Sequence, residues 1–312
     1  MVENYLIIGG DGFVGRWIVE MLRKRGERSI IVFDLIQKYF DEEIKHYKGD
    51  LSNYDDISKC IEKENITSVI HTASPSHDCK YEELFWKVNV EGTKNVIEAC
   101  LNFGVKKLVY TSSSSVVYDG FSELINVDET APFPKKHMNV YNETKAAGEK
   151  LVLEANGRNG LLTCALRPCG IFGPNDMQAI PGFIKVMEQG QSKFQIGDNE
   201  NFVDWTYVEN CAYAHVLAVD KLSKENQTAG EAFFITNGTP LPFWDLVIIA
   251  SLTELSSNVT GKEPGFTRFR VKFTTTNRYF NINKAKSRLG YEPLVDLEEG
   301  VKRAVKSVIN ST

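Results

Sequence analysis

The chain has 312 residues, a formal net charge of −5 and 42% hydrophobic residues. That is enough to bury a large core, in one big domain or one domain with an appended lobe. The mildly acidic balance argues against nucleic-acid binding, which needs basic patches against phosphates, and no stretch reaches the roughly 18 apolar residues of a spanning helix.

A strand-like run, Tyr5–Ile8, begins almost at once, with no signal-peptide pattern before it. Further β-rich runs follow at Ser29–Phe33, Ser68–His71, Lys107–Thr111 and Leu162–Leu166. Helix-period segments lie between them at Val14–Arg25, Tyr54–Glu64, Tyr81–Phe103 and Tyr141–Glu154. This alternation predicts an α/β fold, a Rossmann-type doubly wound parallel sheet covered on both faces. Residues 1–172 are expected to form the dinucleotide-binding domain. Val208–Leu222 and Ala232–Ile235 rejoin its sheet within 200–237. Residues 173–199 and 238–312 are more irregular and suit a smaller substrate-binding lobe.

The six cysteines are scattered, without C-x-x-C spacing. They are expected to be reduced, and no metal site is expected. Five N-x-S/T sequons occur, at Asn65, Asn142, Asn226, Asn258 and Asn310. A glycan on Asn142 would block its neighbour Tyr141, a candidate catalytic residue, so the sequons are read as chance and the compartment as non-lumenal.

Gly9, Gly12 and Gly15 follow the first strand at three-residue spacing and open a helix through Phe13 and Val14. Gly9 permits a tight turn, Gly12 lets backbone approach a pyrophosphate, and Gly15 lets the helix pack closely on the sheet. The helix N-terminus then offers free N–H groups to the phosphates. Asp34 ends the second β run, where a carboxylate accepts hydrogen bonds from the adenosine ribose. Its charge would repel a 2′-phosphate, so NAD is expected rather than NADP.

Tyr141 and Lys145 are four residues apart and share one helical face. Oxidising an alcohol needs a base for the hydroxyl proton while hydride leaves carbon. A free tyrosine, with a pKa of about 10, becomes such a base when an ammonium and a positive nicotinamide favour its phenolate. Lowering its pKa by about 3 units takes roughly 4 kcal/mol of electrostatic preference. The run Thr111-Ser112-Ser113-Ser114-Ser115 follows a strand at the sheet edge where ligands bind. One of its hydroxyls would hold the substrate oxygen; chemistry alone does not choose among four serines.

Together these motifs resemble the extended short-chain dehydrogenases/reductases, across nearly the whole chain. Further marks are Gly49-Asp50-Leu51, His71-Thr72-Ala73-Ser74, Val88–Thr93 and Leu166-Arg167-Pro168. Within that group the chain is most similar to the 3β-hydroxysteroid dehydrogenases, and among those to the fungal decarboxylating members that act on 4α-carboxysterols. Residues 190–199, 204–207, 261–273 and 283–293 carry this finer likeness. The resemblance implies Tyr141 as proton acceptor, Lys145 as its partner and Ser113 as third catalytic member. It places Asp50 and Leu51 at the adenine end, Thr72, Ala73 and Ser74 along the cofactor, Asn89 behind them and Pro168 beside the nicotinamide. It further implies a sterol substrate, a homodimer joined by the Tyr81–Phe103 and Tyr141–Glu154 helices, and peripheral attachment at the cytosolic face of the endoplasmic reticulum beside other enzymes of sterol C4-demethylation. Family members carry a longer apolar segment, associated with membrane contact, where this chain has Gly238–Thr260 with one apolar patch, Trp244–Leu252.

A sugar-nucleotide epimerase or reductase shares the fold and the Tyr–Lys pair, but needs cationic groups for a diphosphate. This chain instead places Phe183, Phe194, Phe202 and Trp205 in the expected substrate lobe, as pocket or as core. A dehydrogenase/isomerase of Δ5-steroids would use the same hydride transfer. A non-enzymatic NAD-sensing protein commonly lacks the tyrosine or the lysine, and both are present here.

Overall fold

The computed structural model describes residues 3–38, 41–76, 79–177, 179–182, 197–245 and 275–309. Phe183, Phe194, residues 261–273 and most of the Trp244–Leu252 patch lie outside the described residues.

Seven parallel strands form the central sheet: β1 (Tyr5–Ile8), β2 (Ile30–Asp34), β3 (Lys45–Lys48), β4 (Ser68–His71), β5 (Lys107–Thr111), β7 (Leu162–Pro168) and β11 (Glu231–Ile235). Their spatial order is β11-β7-β5-β4-β1-β2-β3. The order reverses between β1 and β4, the crevice where ligands bind in open parallel sheets. This is the expected Rossmann-type architecture. The central strands are apolar throughout because both faces are covered. In β1, Tyr5 and Ile7 enter one core with α1 (Phe13–Lys24) and α6 (Val208–Lys221), while Leu6 and Ile8 enter the other. That second core holds α2 (Tyr54–Lys63), α4 (Thr93–Asn102) and α5 (Val140–Glu154). Helix α1 buries Gly15, Ile18, Val19 and Leu22, an i, i+3, i+4, i+7 stripe.

Strand β3 escapes a sequence reading because Lys-His-Tyr-Lys has no apolar alternation. It is an edge strand, paired on one side only, with β2. The Tyr81–Phe103 segment is helical but not uniformly α. After α3 (Glu82–Phe85), residues Trp86–Gly92 form a π-helical turn before α4. Such wide turns are frequent at functional sites, and this one carries Asn89.

Beside the main sheet lie β8 (Ile171–Phe172) paired with β10 (Thr206–Tyr207), and a four-stranded sheet. The latter runs β12 (Leu241–Pro242), β9 (Phe202–Val203), β13 (Arg278–Phe280) and β6 (Leu124–Val127). A third core joins Phe172, Trp205, Tyr207 and Phe243 to α7 (Leu297–Ile309). Trp205 is therefore core, 5% exposed, whereas Phe202 is 41% exposed beside Tyr279.

Candidate active site

The glycine loop leaves β1 at Gly9, whose φ of +79° is left-handed. A Cβ at Gly9 would meet Ala73 and the Thr72 hydroxyl at 2.8 Å, so the turns after β1 and β4 touch. At Gly15 a Cβ would lie 2.1 Å from the Gly9 carbonyl oxygen, so only glycine lets α1 begin there. Helix α1 has Gly12 as its N-cap, no side-chain cap and no acid in its first turn. Phe13 and Val14 begin the helix, half-buried. Its N–H groups are left for an anion. The Asp34 carboxylate, at the tip of β2, accepts from the backbone N–H of Asp11 (3.1 Å) and Leu35 (2.7 Å). Burial pushes its pKa up, and these backbone bonds oppose the rise. Thr72 donates to the Ile8 carbonyl at 2.8 Å, and Ser74 to the Pro75 carbonyl. Asp50 accepts from the Ser52 N–H and pairs with Lys87 at 3.4 Å. Leu51 is buried and its carbonyl accepts from Asn95. The residues present thus fit a dinucleotide: a backbone cradle no side chain could fill, an open helix N-terminus and a carboxylate at the ribose position.

The second cluster lies at the ends of β5 and β7. Helix α5 begins at an N-cap, Asn139, whose side chain accepts from the Asn142 N–H at 2.9 Å. Asn142 is itself buried. Tyr141 packs edge-on against Phe85, with centroids 5.9 Å apart. Burial raises the Tyr141 pKa, and a hydrogen bond with Ser113 opposes that rise. Lys145 is 2% exposed. Its ammonium donates to the Thr111 carbonyl and stands over the Tyr110 ring. Burial lowers its pKa to about 7, against the pull of Glu149. The four serines separate by their contacts: Ser112 donates to Glu149 at 2.5 Å, Ser113 meets Tyr141, Ser114 reaches Cys169, and Ser115 bonds Ser113 at 2.7 Å. Asn89 is fully buried, and its amide donates to Thr144 on α5 at 3.1 Å. Pro168 ends β7 opposite Ile235, one residue before Cys169.

Several residues of this region, some of them within the family marks, have roles that their local sequence does not reveal. Arg167 makes a two-pronged contact with Glu149, one turn beyond Lys145, at 2.6 to 3.1 Å. It is therefore a structural cation tied to α5. His71 and His215 flank Lys145 as buried neutral imidazoles, their pKa values lowered by burial and then by Lys145 to about 3 and about 4. Asp204 accepts from the Phe280 N–H, and burial raises its pKa to about 7. Among the described residues no group of His, Cys, Asp and Glu is arranged to hold a metal ion, and no helix is long and apolar enough to cross a membrane.

A glycine cradle at the switch point and a Tyr–Lys helix beside a serine turn define a short-chain dehydrogenase-type protein. Residues 6–257 match the 3-beta hydroxysteroid dehydrogenase/isomerase family, and the chain belongs to that family. It is 45% identical to the decarboxylating sterol-4-alpha-carboxylate 3-dehydrogenase of Schizosaccharomyces pombe, over 98% of this chain and 97% of the relative. Identity to the proteins of the same name from Candida albicans and Saccharomyces cerevisiae is 42% and 43%, covering 96% and 97% of each chain. The alignment with the first spans 337 residues, more than this chain contains, so that relative carries residues with no counterpart here. In fold, the chain resembles the UDP-glucose 4-epimerase of Thermotoga maritima with UDP-glucose (TM-score 0.80, 22% identity, 99% of each chain). It likewise resembles the Thermus thermophilus UDP-glucose 4-epimerase complex with NAD (TM-score 0.79, 23% identity, 99% of this chain and 100% of the other). At those identities the likeness is one of fold alone.

Proposed function

We propose that this protein is an NAD-dependent dehydrogenase that oxidises the 3β-hydroxyl of a 4α-carboxysterol to the ketone, with loss of the carboxylate as carbon dioxide. What carries the reading is identity of 42–45% over nearly the full length of three decarboxylating sterol dehydrogenases. In support, Ser113, Tyr141 and Lys145 stand together at the carboxyl ends of β5 and β7, the edge of an open parallel sheet where a dinucleotide would bind.

Gly9, Gly12, Gly15, Asp34 and Thr72 would hold NAD, which would supply the hydride acceptor and a positive ring. Ser113 donates to the sterol oxygen, and Tyr141 as phenolate takes its proton. Because burial alone raises the Tyr141 pKa, the phenolate depends on nearby positive charge, which Lys145 provides one helical turn away. The product is a β-keto acid. It loses carbon dioxide readily because the departing electrons delocalise into the new carbonyl as an enol, so no separate decarboxylating residue is required.

The test is purified protein with NAD and a 4α-carboxysterol, following NADH and released carbon dioxide together. Both products appearing, and both vanishing in Tyr141→Phe, bear the reading out. NAD binding with neither product refutes it and moves the assay to Δ5-steroids and sugar nucleotides. An epimerase would interconvert a sugar nucleotide without net NADH.

The assembly we propose is a homodimer built on α4 and α5, whose outer faces leave a groove lined by Ile97, Leu101 and Leu151 among charged residues. Sedimentation showing only monomer at micromolar concentration would refute it. Peripheral attachment to the cytosolic face of the endoplasmic reticulum, beside other sterol C4-demethylation enzymes, completes the reading and is tested by fractionation with and without salt.

A further inference from the structure

Lys145 is enclosed on every side, and the elements around it differ in what they offer a cation. Strand β5 gives the Thr111 carbonyl and the face of Tyr110, whose ring centroid lies 4.3 Å from Nζ. Strand β4 gives His71, set edge-on to Tyr110 with centroids 5.3 Å apart. Helix α6 gives His215, whose Nδ1 is 2.7 Å from the Cys211 carbonyl and so must carry the proton. Its Nε2 then accepts from the Thr111 hydroxyl at 2.7 Å. Both imidazoles are neutral near pH 7, since burial and the nearby ammonium oppose their protonation. Helix α5 itself gives Tyr141 one turn before and Glu149 one turn after, but Glu149 is committed to Arg167 and Ser112. Among the described residues no carboxylate lies within ion-pair distance of Lys145. In direct contact, one carbonyl and one aromatic face hold the charge; Glu149 adds only a pull from beyond ion-pair distance.

We propose that Tyr110 is a positioning residue for Lys145: its ring face, in place of a carboxylate, holds the ammonium charged and aimed beside Tyr141. The inference rests on the reading of Tyr141 and Lys145 as the acid–base pair. An ammonium over an aromatic face is attracted by the ring quadrupole, most strongly when desolvated. A carboxylate in the same place would neutralise the ammonium and weaken its pull on the Tyr141 phenolate; an aromatic face leaves the net charge intact. The ring rather than the hydroxyl is the working part. The hydroxyl lies against Gly148, where a Cβ would come 2.6 Å from it and from the Asn89 carbonyl, and its polar neighbour is Thr93 on α4 rather than Lys145. Gly148 thus lets the ring wedge between α5 and the π turn.

The experiment varies the quadrupole at constant shape. Tyr110→Phe, and the same position carrying mono-, di- and trifluorinated phenylalanine, are compared in kcat against pH with a 4α-carboxysterol and NAD. Tyr110→Phe should keep kcat within about twofold. Across the fluorinated series the alkaline limb should move to lower pH, by about one unit in total, because a weaker ring face releases the Lys145 proton sooner. NAD affinity should stay within about threefold, and each variant's thermal unfolding reports its fold. A flat series, or a Tyr110→Phe protein as impaired as Tyr110→Leu, would overturn the proposal. Lys145→Met separates the two levels. If it stays active, the acid–base reading itself fails; if it is inactive and the series is flat, only the role of Tyr110 fails.

Discussion

Removing the Arg167 guanidinium leaves a buried charge with a single hydroxyl to satisfy it. Glu149 is fully buried on α5 and accepts from Arg167 Nη2 at 2.6 Å, Arg167 Nε at 3.1 Å and the Ser112 hydroxyl at 2.5 Å. In Arg167→Met the stem still fills the slot between Phe133 and Phe234, over whose rings the guanidinium stands at 5.6 and 5.2 Å. The carboxylate keeps one hydroxyl. Breaking a buried pair on one side costs about 3–5 kcal/mol, a large share of the roughly 5–15 kcal/mol a domain has. Adding Glu149→Gln removes the stranded charge and should recover at least about half of that. The assay is urea unfolding followed by tryptophan fluorescence, with the midpoint compared at constant slope. Turnover should fall with the single change too, since the loosened α5 carries both Tyr141 and Lys145. A single-variant cost below about 1 kcal/mol, or strictly additive effects in the double variant, would refute the clamp.

Other consequences are as direct. Gly15→Ala sets a methyl 2.1 Å from the Gly9 carbonyl oxygen, so NAD affinity, read by fluorescence quenching, should fall by more than about tenfold; unchanged affinity would mean α1 does not seat the pyrophosphate. Tyr141→Phe should nearly abolish turnover and leave NAD affinity within a few-fold, whereas equal loss of both would make Tyr141 structural. Asp34→Ala should narrow the preference for NAD over NADP, measured as a ratio of kcat/KM, and an unchanged ratio would remove Asp34 from that role. His215 has its pKa lowered by burial from 6.5 to about 4. Between those values the unfolded chain binds one more proton than the native protein, so this histidine makes stability rise with pH there. In His215→Gln the slope of stability against pH from about 4 to 6.5 should be shallower by up to about 1.4 kcal/mol per unit; an unchanged slope would mean the native imidazole protonates freely.

The parts legible in the sequence are those whose cause is local. Gly9, Gly12 and Gly15 follow an apolar run because the turn there has to be tight, and that need is visible in three letters. The central strands read as continuous apolar runs because both their faces are buried. Tyr141 and Lys145 stand out through helical spacing. The remainder is tertiary. Strand β3 is polar because it is an edge, and β6 joins a sheet whose other strands lie more than seventy residues further on. The π turn at Trp86–Gly92 leaves no mark on a helical pattern, although it sets Asn89 against α5. Among four consecutive serines only the fold separates the one that meets Tyr141 from the one that ties down Glu149.

The same division explains why a Tyr-x-x-x-Lys match is so weak on its own. Spacing aligns the two side chains on a helix, but it does not decide whether the lysine is a cation when the tyrosine needs one. Burial lowers the Lys145 pKa to about 7, close enough to neutrality that its neighbours decide its charge. Those neighbours come from β4, β5 and α6, up to 74 positions away from Lys145 in the chain. Two imidazoles that could compete for the proton are kept neutral, and the carboxylate that could quench the charge is turned away toward Arg167. The proposed acid–base motif is five residues long; the environment that gives it chemistry is a property of the closed sheet.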